Sequence, residues 1–292
     1  MRTRPLAALS GLLLLLLTGS VLGHGGYHER IAYLTAETKK HPSDPLLHFE
    51  LANLHGQHGD LQLSLRDLDR VDALAPGKFL TDLLRGEAWL VADKFAKAKE
   101  ALDRQLVSHP ECARAWLVRA RVEQRMGLDP ASLADYREAL KRTPSPDPDL
   151  VQEVAGALAT HDCQKEAAQV LAAGIEKLGK IPSLVLRALD LEIAMKDFDA
   201  ALRRLEEAQR DAPRPEPWMA RRAAVLAQAG RIEESREAWN ALAKHLDSLP
   251  EQERTSHAMS KLTEETRQAL ASQKSVSPAE PPPAPSPTNL GK

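Results

Sequence analysis

Residues 79–112 read FLTDLLRGEAWLVADKFAKAKEALDRQLVSHPEC, and the fold class can be inferred from this segment. It reads as two amphipathic helices, because its apolar residues follow helical spacing on either side of a short break. The break is the segment Asp93-Lys94-Phe95, and Pro110 stops the second helix. The stretch therefore predicts a hairpin of two short helices, a first helix A and a second helix B.

The same pattern recurs along the chain with a fixed period of about 34 residues, which is typical of repeat proteins. Pro76, Pro110 and Pro144 are evenly spaced at this period. Two series of small residues keep the same phase, and they comprise Ala52, Gly86, Ala120, Ala155, Ala188 and Ala223 in helix A and Ser64, Ala98, Ser132, Ala167, Ala201 and Ser235 in helix B. Small side chains at these positions let the two helices of a hairpin approach closely. A fixed period in this range predicts a solenoid of stacked hairpins.

The pattern resembles that of the tetratricopeptide-repeat family, and the resemblance covers about Pro45–Pro250. The second repeat matches the family's small, aromatic and proline positions, with Gly86, Trp89, Ala98, Leu102 and Pro110 at positions 8, 11, 20, 24 and 32. The resemblance implies an all-α, right-handed helical-hairpin solenoid of about six repeats with terminal capping helices. The repeats are expected at about 45–78, 79–112, 113–147, 148–181, 182–215 and 216–250.

The segments outside the array, residues 45–250, have other compositions. Residues 1–23 combine arginines, a leucine-rich run and small residues in the order of a secretory signal peptide. Residues 24–44 predict an N-terminal helix that is a cap or a half repeat, and residues 251–273 predict a C-terminal capping helix. Residues 274–292 form a Pro-rich tail expected to be disordered. We expect export to a periplasm or to the exterior, with no membrane span after cleavage. An uncleaved signal anchor that tethers the chain to a membrane is the alternative.

Composition and motifs exclude several classes of function. The formal net charge of −2 argues against a general nucleic-acid binder, which needs a basic excess. The sequence contains no phosphate-binding glycine loop, no serine-hydrolase or metalloprotease motif and no Cys-x-x-Cys. Cys112 and Cys163 are predicted on opposite edges of the stack, too far apart for a disulfide. The sequence thus predicts neither an enzyme nor a cofactor.

Histidines at the start of the mature chain suggest an alternative function. Cleavage after Gly23 would make His24 the N-terminal residue, and its amine and imidazole, together with His28, would chelate a metal ion. This alternative is a metal-binding or metal-delivery protein. His48 and His55 fall at core positions of the first repeat, where a structural role is predicted. No complete ligand set is visible in the sequence, so no metal is assigned.

The resemblance implies that the A helices line a concave groove, where family members commonly bind peptides or helices. The groove residues predicted to contact a partner are Phe49, Asn53, Leu83, Glu87, Arg114, Arg121 and Arg125. The two apolar residues would anchor the ligand, Asn53 and Glu87 would form hydrogen bonds, and the arginines would select a negative charge.

The leading hypothesis is an exported, non-enzymatic scaffold for a protein or peptide with apolar anchors and an acidic group. A structural subunit of an envelope complex, which binds through the edges of the repeats, is a further alternative. The oligomeric state is left open.

Overall fold

The computed structural model describes residues 25–274, and every regular element within them is a helix. The helices are α1 Gly25–Lys40, α2 Pro45–His58, α3 Leu61–Leu74, α4 Thr81–Val91, α5 Phe95–Ser108, α6 Ala113–Arg125, α7 Asp129–Lys141, α8 Pro148–Thr160, α9 Gln164–Leu178, α10 Pro182–Ala194, α11 Phe198–Asp211, α12 Glu216–Gln228, α13 Ile232–Ser248, α14 Glu251–Arg254 and α15 His257–Lys274. Helices α2 to α13 form consecutive A–B hairpins, which confirms the expected all-α helical-hairpin solenoid.

The turns between helices A and B share one hydrogen-bond pattern. In each turn a backbone N–H donates to the carbonyl five residues earlier, and the pairs are Asp60 to His55, Lys94 to Trp89, Leu128 to Glu123, Cys163 to Leu158, Asp197 to Glu192 and Arg231 to Leu226. The residue before each donor has a positive φ, and these residues are Gly59, Asp93, Gly127, Asp162, Lys196 and Gly230. The left-handed turn is therefore the constant feature, and glycine supplies it without strain in half of the hairpins.

The turns fix the register of the repeats and correct one member of the first small-residue series. Leu189 lies three residues before the bonded carbonyl of Glu192, just as Ala155 lies three residues before Leu158. Leu189 therefore takes the place that the sequence pattern gave to Ala188, and it is fully buried. With Leu189 in place of Ala188, the two series have the same spacing between successive hairpins. In both series the spacing between the third and fourth hairpins is one residue longer than the others.

Three small residues of helix B are serines that bind the backbone of helix A. Their Oγ atoms donate to carbonyl oxygens, with distances of 2.8 Å for Ser64 to Ala52, 2.9 Å for Ser132 to Ala120 and 2.8 Å for Ser235 to Ala223. All three serines are buried, so the bond satisfies a hydroxyl that water does not reach. The serines thus combine close helix packing with a hydrogen bond between the two helices.

The chain divides into two compact units between Pro144 and Ser145. In unit 1, the A helices α2, α4 and α6 pack side by side, and α1 packs on α2. In unit 2, the A helices α8 and α10 pack side by side, and α15 packs on α13 and α12. The solvent-exposed side of each row of A helices is called here the A-helix face of that unit.

The sequence also led to predictions about export, membrane spans and the two cysteines. The signal peptide at residues 1–23, His24 and the tail after Lys274 lie outside the described residues. Of the helices within residues 25–274, none is both long enough and apolar enough to cross a membrane. Cys112 and Cys163 are free thiols.

Candidate protein-binding face

The A-helix face of unit 1 holds most of the residues predicted to contact a partner. Phe49 and Asn53 lie on α2, Glu87 on α4, and the three arginines Arg114, Arg121 and Arg125 on α6. The arginines are exposed, whereas the other three side chains are half-buried. The side-by-side packing of α2, α4 and α6 brings these residues onto one row of helices.

The centre of this face is an ion pair between adjacent A helices. Arg114 donates from Nε to Oε1 of Glu87 at 2.6 Å and from Nη2 to Oε2 at 2.8 Å. Such a two-pronged pair fixes the planes of both groups and is stronger than a single contact. Burial raises the pKa of the Glu87 carboxyl above its ordinary value, although the charges of Arg114 and Arg121 act to lower it. The carboxylate is therefore held by the arginines in a partly dehydrated position.

Arg125 is also paired, at the end of the same helix. Its Nη2 atom donates to Oδ1 of Asp93 at 2.7 Å, and its guanidinium lies 4.8 Å from the ring centroid of Phe95. Both partners belong to the preceding hairpin. The predicted basic strip consequently carries less free positive charge than the sequence suggests, because Glu87 and Asp93 balance two of its arginines.

The predicted polar and aromatic contacts on α2 also have neighbours within the chain. The ring centroids of Phe49 and Phe79 are 5.1 Å apart, and Phe49 packs against a buried cluster from the first and second hairpins, Ala52, Leu68 and Leu84. Asn53 Oδ1 accepts a hydrogen bond from Gln57 Nε2 at 3.0 Å. Gln57 in turn accepts one from the Tyr27 hydroxyl of α1 at 2.7 Å. Helix α1 thus steadies this edge of the face.

Leu83 is the one predicted anchor that the structure contradicts. Its side chain is only 4% exposed and belongs to the core formed with Ala98 and Leu102 of the same hairpin. Its N–H donates to the side chain of Gln105 at 3.1 Å. Leu83 cannot contact a ligand without opening this core. Val91, at the other end of α4, is 52% exposed and supplies apolar surface on the face instead.

His28, one of the two histidines of the metal-binding alternative, lies near a third histidine, but the described residues form no set of metal ligands. The imidazole rings of His28 and His58 have centroids 5.0 Å apart, and Nδ1 of His58 lies 3.4 Å from Oδ2 of Asp60. No group of three or more histidine, cysteine or acidic side chains within residues 25–274 is placed to hold a metal ion. His55 instead pairs with the buried Asp67 at 3.2 Å, which agrees with a structural role.

Comparison with known proteins gives one family match, to the tetratricopeptide repeat over residues 83–147. This segment contains α5, α6 and α7 and most of α4, and it includes Glu87 and the three arginines of the face. No curated protein matches the sequence. Residues 83–147 thus match the tetratricopeptide repeat, and the described residues as a whole form an all-α helical-hairpin solenoid.

Several solved structures are similar to this chain at low sequence identity. PilF of Pseudomonas aeruginosa is 17% identical, with a TM-score of 0.50, over 65% of this chain and 86% of that protein. A protein of Thermus thermophilus, described as a thermophilic TPR protein, is 19% identical, with a TM-score of 0.48, over 58% and 92% of the two chains. MamA of Desulfovibrio magneticus is 20% identical, with a TM-score of 0.43, over 52% and 85%. At 17% identity the similarity to PilF concerns the fold alone.

Proposed function

We propose that this chain is an exported, non-enzymatic scaffold that binds a protein or peptide segment on the A-helix face of unit 1. The observation that carries the proposal is the combination of exposed apolar surface at Val91 with paired charges that join neighbouring hairpins. Apolar patches bordered by polar groups are typical of protein-binding surfaces. A row of packed helices presents such a patch with little reorganisation on binding.

The pairing of the arginines defines the kind of segment that the face accepts. A carboxylate on the ligand competes with Glu87 for Arg114 and with Asp93 for Arg125. An acidic group therefore contributes to register and selectivity more than to affinity. Affinity comes from apolar side chains that cover Val91 and the exposed edge of Phe49. We accordingly propose a partner segment with apolar anchors and one acidic group.

The proposed export rests on the sequence of residues 1–23, whose charged, leucine-rich and small-residue regions follow the order of a secretory signal. The net charge of −2 separately disfavours nucleic acid as a partner. The place of action is then a periplasm or the exterior.

Affinity capture from the envelope fraction of the source organism tests the proposal. The variant Phe49→Ala/Arg121→Ala/Arg125→Ala removes one aromatic and two basic side chains from the A-helix face. The matched control, Val107→Ala/Arg66→Ala/Lys141→Ala, removes one apolar and two basic side chains from B helices of the same unit. All three original residues of the control are exposed. Circular dichroism confirms that each variant folds.

The proposal expects a partner that wild type and the control recover and that the A-helix variant loses. Equal recovery by all three proteins would exclude the A-helix face. It would favour the alternative of a structural subunit that binds through the edges of the repeats.

A further inference from the structure

A depression lies between the two packed A helices of unit 2. Its walls come from α8, α9 and α10, and its lining residues are Ala155, Ala159, Leu171, Arg187, Asp190, Leu191 and Ala194. Five of these seven residues are apolar, whereas Arg187 and Asp190 are charged and exposed. The depression thus has an apolar lining with charge beside it.

The two charged residues differ in their partners. Asp190 accepts a hydrogen bond from Nη2 of Arg221 on α12. Within residues 25–274, no hydrogen bond or ion pair involves Arg187. Nη2 of Arg187 lies 3.5 Å from the position that a Cβ atom on Gly156 would take. The guanidinium therefore lies at van der Waals distance from the place where a side chain on Gly156 would begin.

Arg187 is an exception among the arginines on A helices. Arg114 binds Glu87, Arg125 binds Asp93 and Arg221 binds Asp190. In each of those cases the partner carboxylate comes from the preceding hairpin. At the corresponding place on α8, next to Arg187, the chain has Gly156 instead of an acid. Arg187 therefore lacks the carboxylate partner from the preceding hairpin that Arg114, Arg125 and Arg221 have.

We propose that Arg187 and the adjacent depression bind an aspartate or glutamate side chain of a partner segment. The guanidinium presents parallel N–H donors that match a carboxylate in two-pronged geometry. The apolar lining shields this pair, and Leu186, 39% exposed on the same helix, offers apolar contact to a neighbouring residue of the segment. The proposal rests on the proposed function in that it requires a partner segment, but it concerns a different unit and different residues.

Panning a random-peptide display library against the full chain tests the proposal. Peptides retained by the wild type are sequenced, and the dissociation constant of the most enriched one is measured by fluorescence anisotropy. The same peptide with its acid replaced by the corresponding amide serves as the second probe. Both probes are then measured with Arg187→Gln and Gly156→Leu. The matched control is Arg203→Gln, which removes the same charge from an exposed position on α11.

We expect the peptides retained by the wild type to be enriched in acidic residues. The amide probe should bind the wild type at least about tenfold more weakly than the acidic probe. Arg187→Gln removes this difference, and Arg203→Gln keeps it. Gly156→Leu also reduces the difference, because its side chain fills the space of the guanidinium without changing the charge. A library without acidic enrichment, or an acid–amide difference that persists in Arg187→Gln, overturns the proposal.

Failure of the proposed site at Arg187 can be distinguished from failure of the proposed function. The variant Phe49→Ala/Arg121→Ala/Arg125→Ala leaves α8 and α10 unchanged. If this variant still captures the partner while Arg187→Gln loses the acid preference, only the face of unit 1 is excluded. If capture depends on unit 1 and the acid preference survives in Arg187→Gln, only the site at Arg187 is excluded.

Discussion

Gly86 of α4 and Leu102 of α5 are so close that no side chain fits between them. A Cβ atom on Gly86 would lie 2.5 Å from Cγ of Leu102, and Leu102 is fully buried. Real Cβ atoms do not approach other heavy atoms this closely, so the backbone of α4 rests directly on the leucine. The absence of a side chain at residue 86 therefore sets the distance between the two helices of the second hairpin.

We predict that Gly86→Ala destabilises the protein, even though alanine has a higher helix propensity than glycine. The added methyl group displaces Leu102 in a closely packed core, and such overpacking costs about 1–3 kcal/mol. Gly156→Ala is the matched control, because its nearest neighbour would be Nη2 of Arg187 at an ordinary 3.5 Å. The control should gain about 0.5–1 kcal/mol from helix propensity. Urea unfolding followed by circular dichroism measures both, and equal effects of the two substitutions would refute the packing argument.

A second prediction concerns the buried pair Glu192–Arg204 in the fifth hairpin. Arg204 donates from Nη2 to Oε1 of Glu192 at 2.6 Å, and Glu192 is only 6% exposed. Arg204→Met leaves an unpaired buried carboxylate and should cost about 3–5 kcal/mol. The corresponding residues of the last hairpin, Leu226 and Ala238, are apolar and buried, so this fold accepts an apolar pair here.

The double variant Glu192→Leu/Arg204→Met is the control for that experiment. It should unfold within about 1 kcal/mol of the wild type, because exchange of a buried ion pair for apolar residues is often neutral. Urea unfolding again gives the free energies. A double variant as unstable as Arg204→Met alone would show that the pair stabilises the hairpin by more than the mutual neutralisation of its charges.

The fold could be predicted from the sequence because its determinants are local and repeat. Small residues and prolines recur at a nearly constant period, and the hairpins follow from them. The register of the fifth hairpin could not be predicted, since Ala188 fits the small-residue pattern while the turn bonds select Leu189. The left-handed turn conformation could not be predicted in three hairpins either, because Asp93, Asp162 and Lys196 adopt a positive φ where the other hairpins have glycine.

The candidate site was less predictable because its contacts join different repeats. Sequence projection placed Glu87 and Arg114 on the same face but gave no sign that they bind each other, 27 residues apart. It also assigned Leu83 to the surface, and only the packing against Leu102 shows that the side chain is buried. The exposed Arg187 and the bare backbone at Gly156 form a relationship that appears only when α8 and α10 lie side by side.

The raised pKa of Glu87 leads to a prediction about pH. A carboxyl whose pKa is higher in the folded state than its ordinary 4.5 favours the folded state when protonated. As the pH rises from below 4.5 through the raised pKa, the unfolded chain loses its proton first, and stability falls. The unfolding free energy of wild type should therefore decrease across this window relative to that of Glu87→Gln. A difference that is constant or increases with pH would contradict the burial of this carboxylate.

Site-specific photo-crosslinking tests most directly whether partners bind the A-helix face of unit 1. Benzoylphenylalanine replaces Val91 on α4 in one protein and Val107 on α5 in another, and these residues are 52% and 85% exposed. Both proteins are irradiated in the envelope fraction of the source organism. If partners bind the A-helix face, position 91 gives a crosslinked partner and position 107 gives none, although position 107 is the more accessible. An adduct from position 107 alone, or from neither position, would contradict binding at this face.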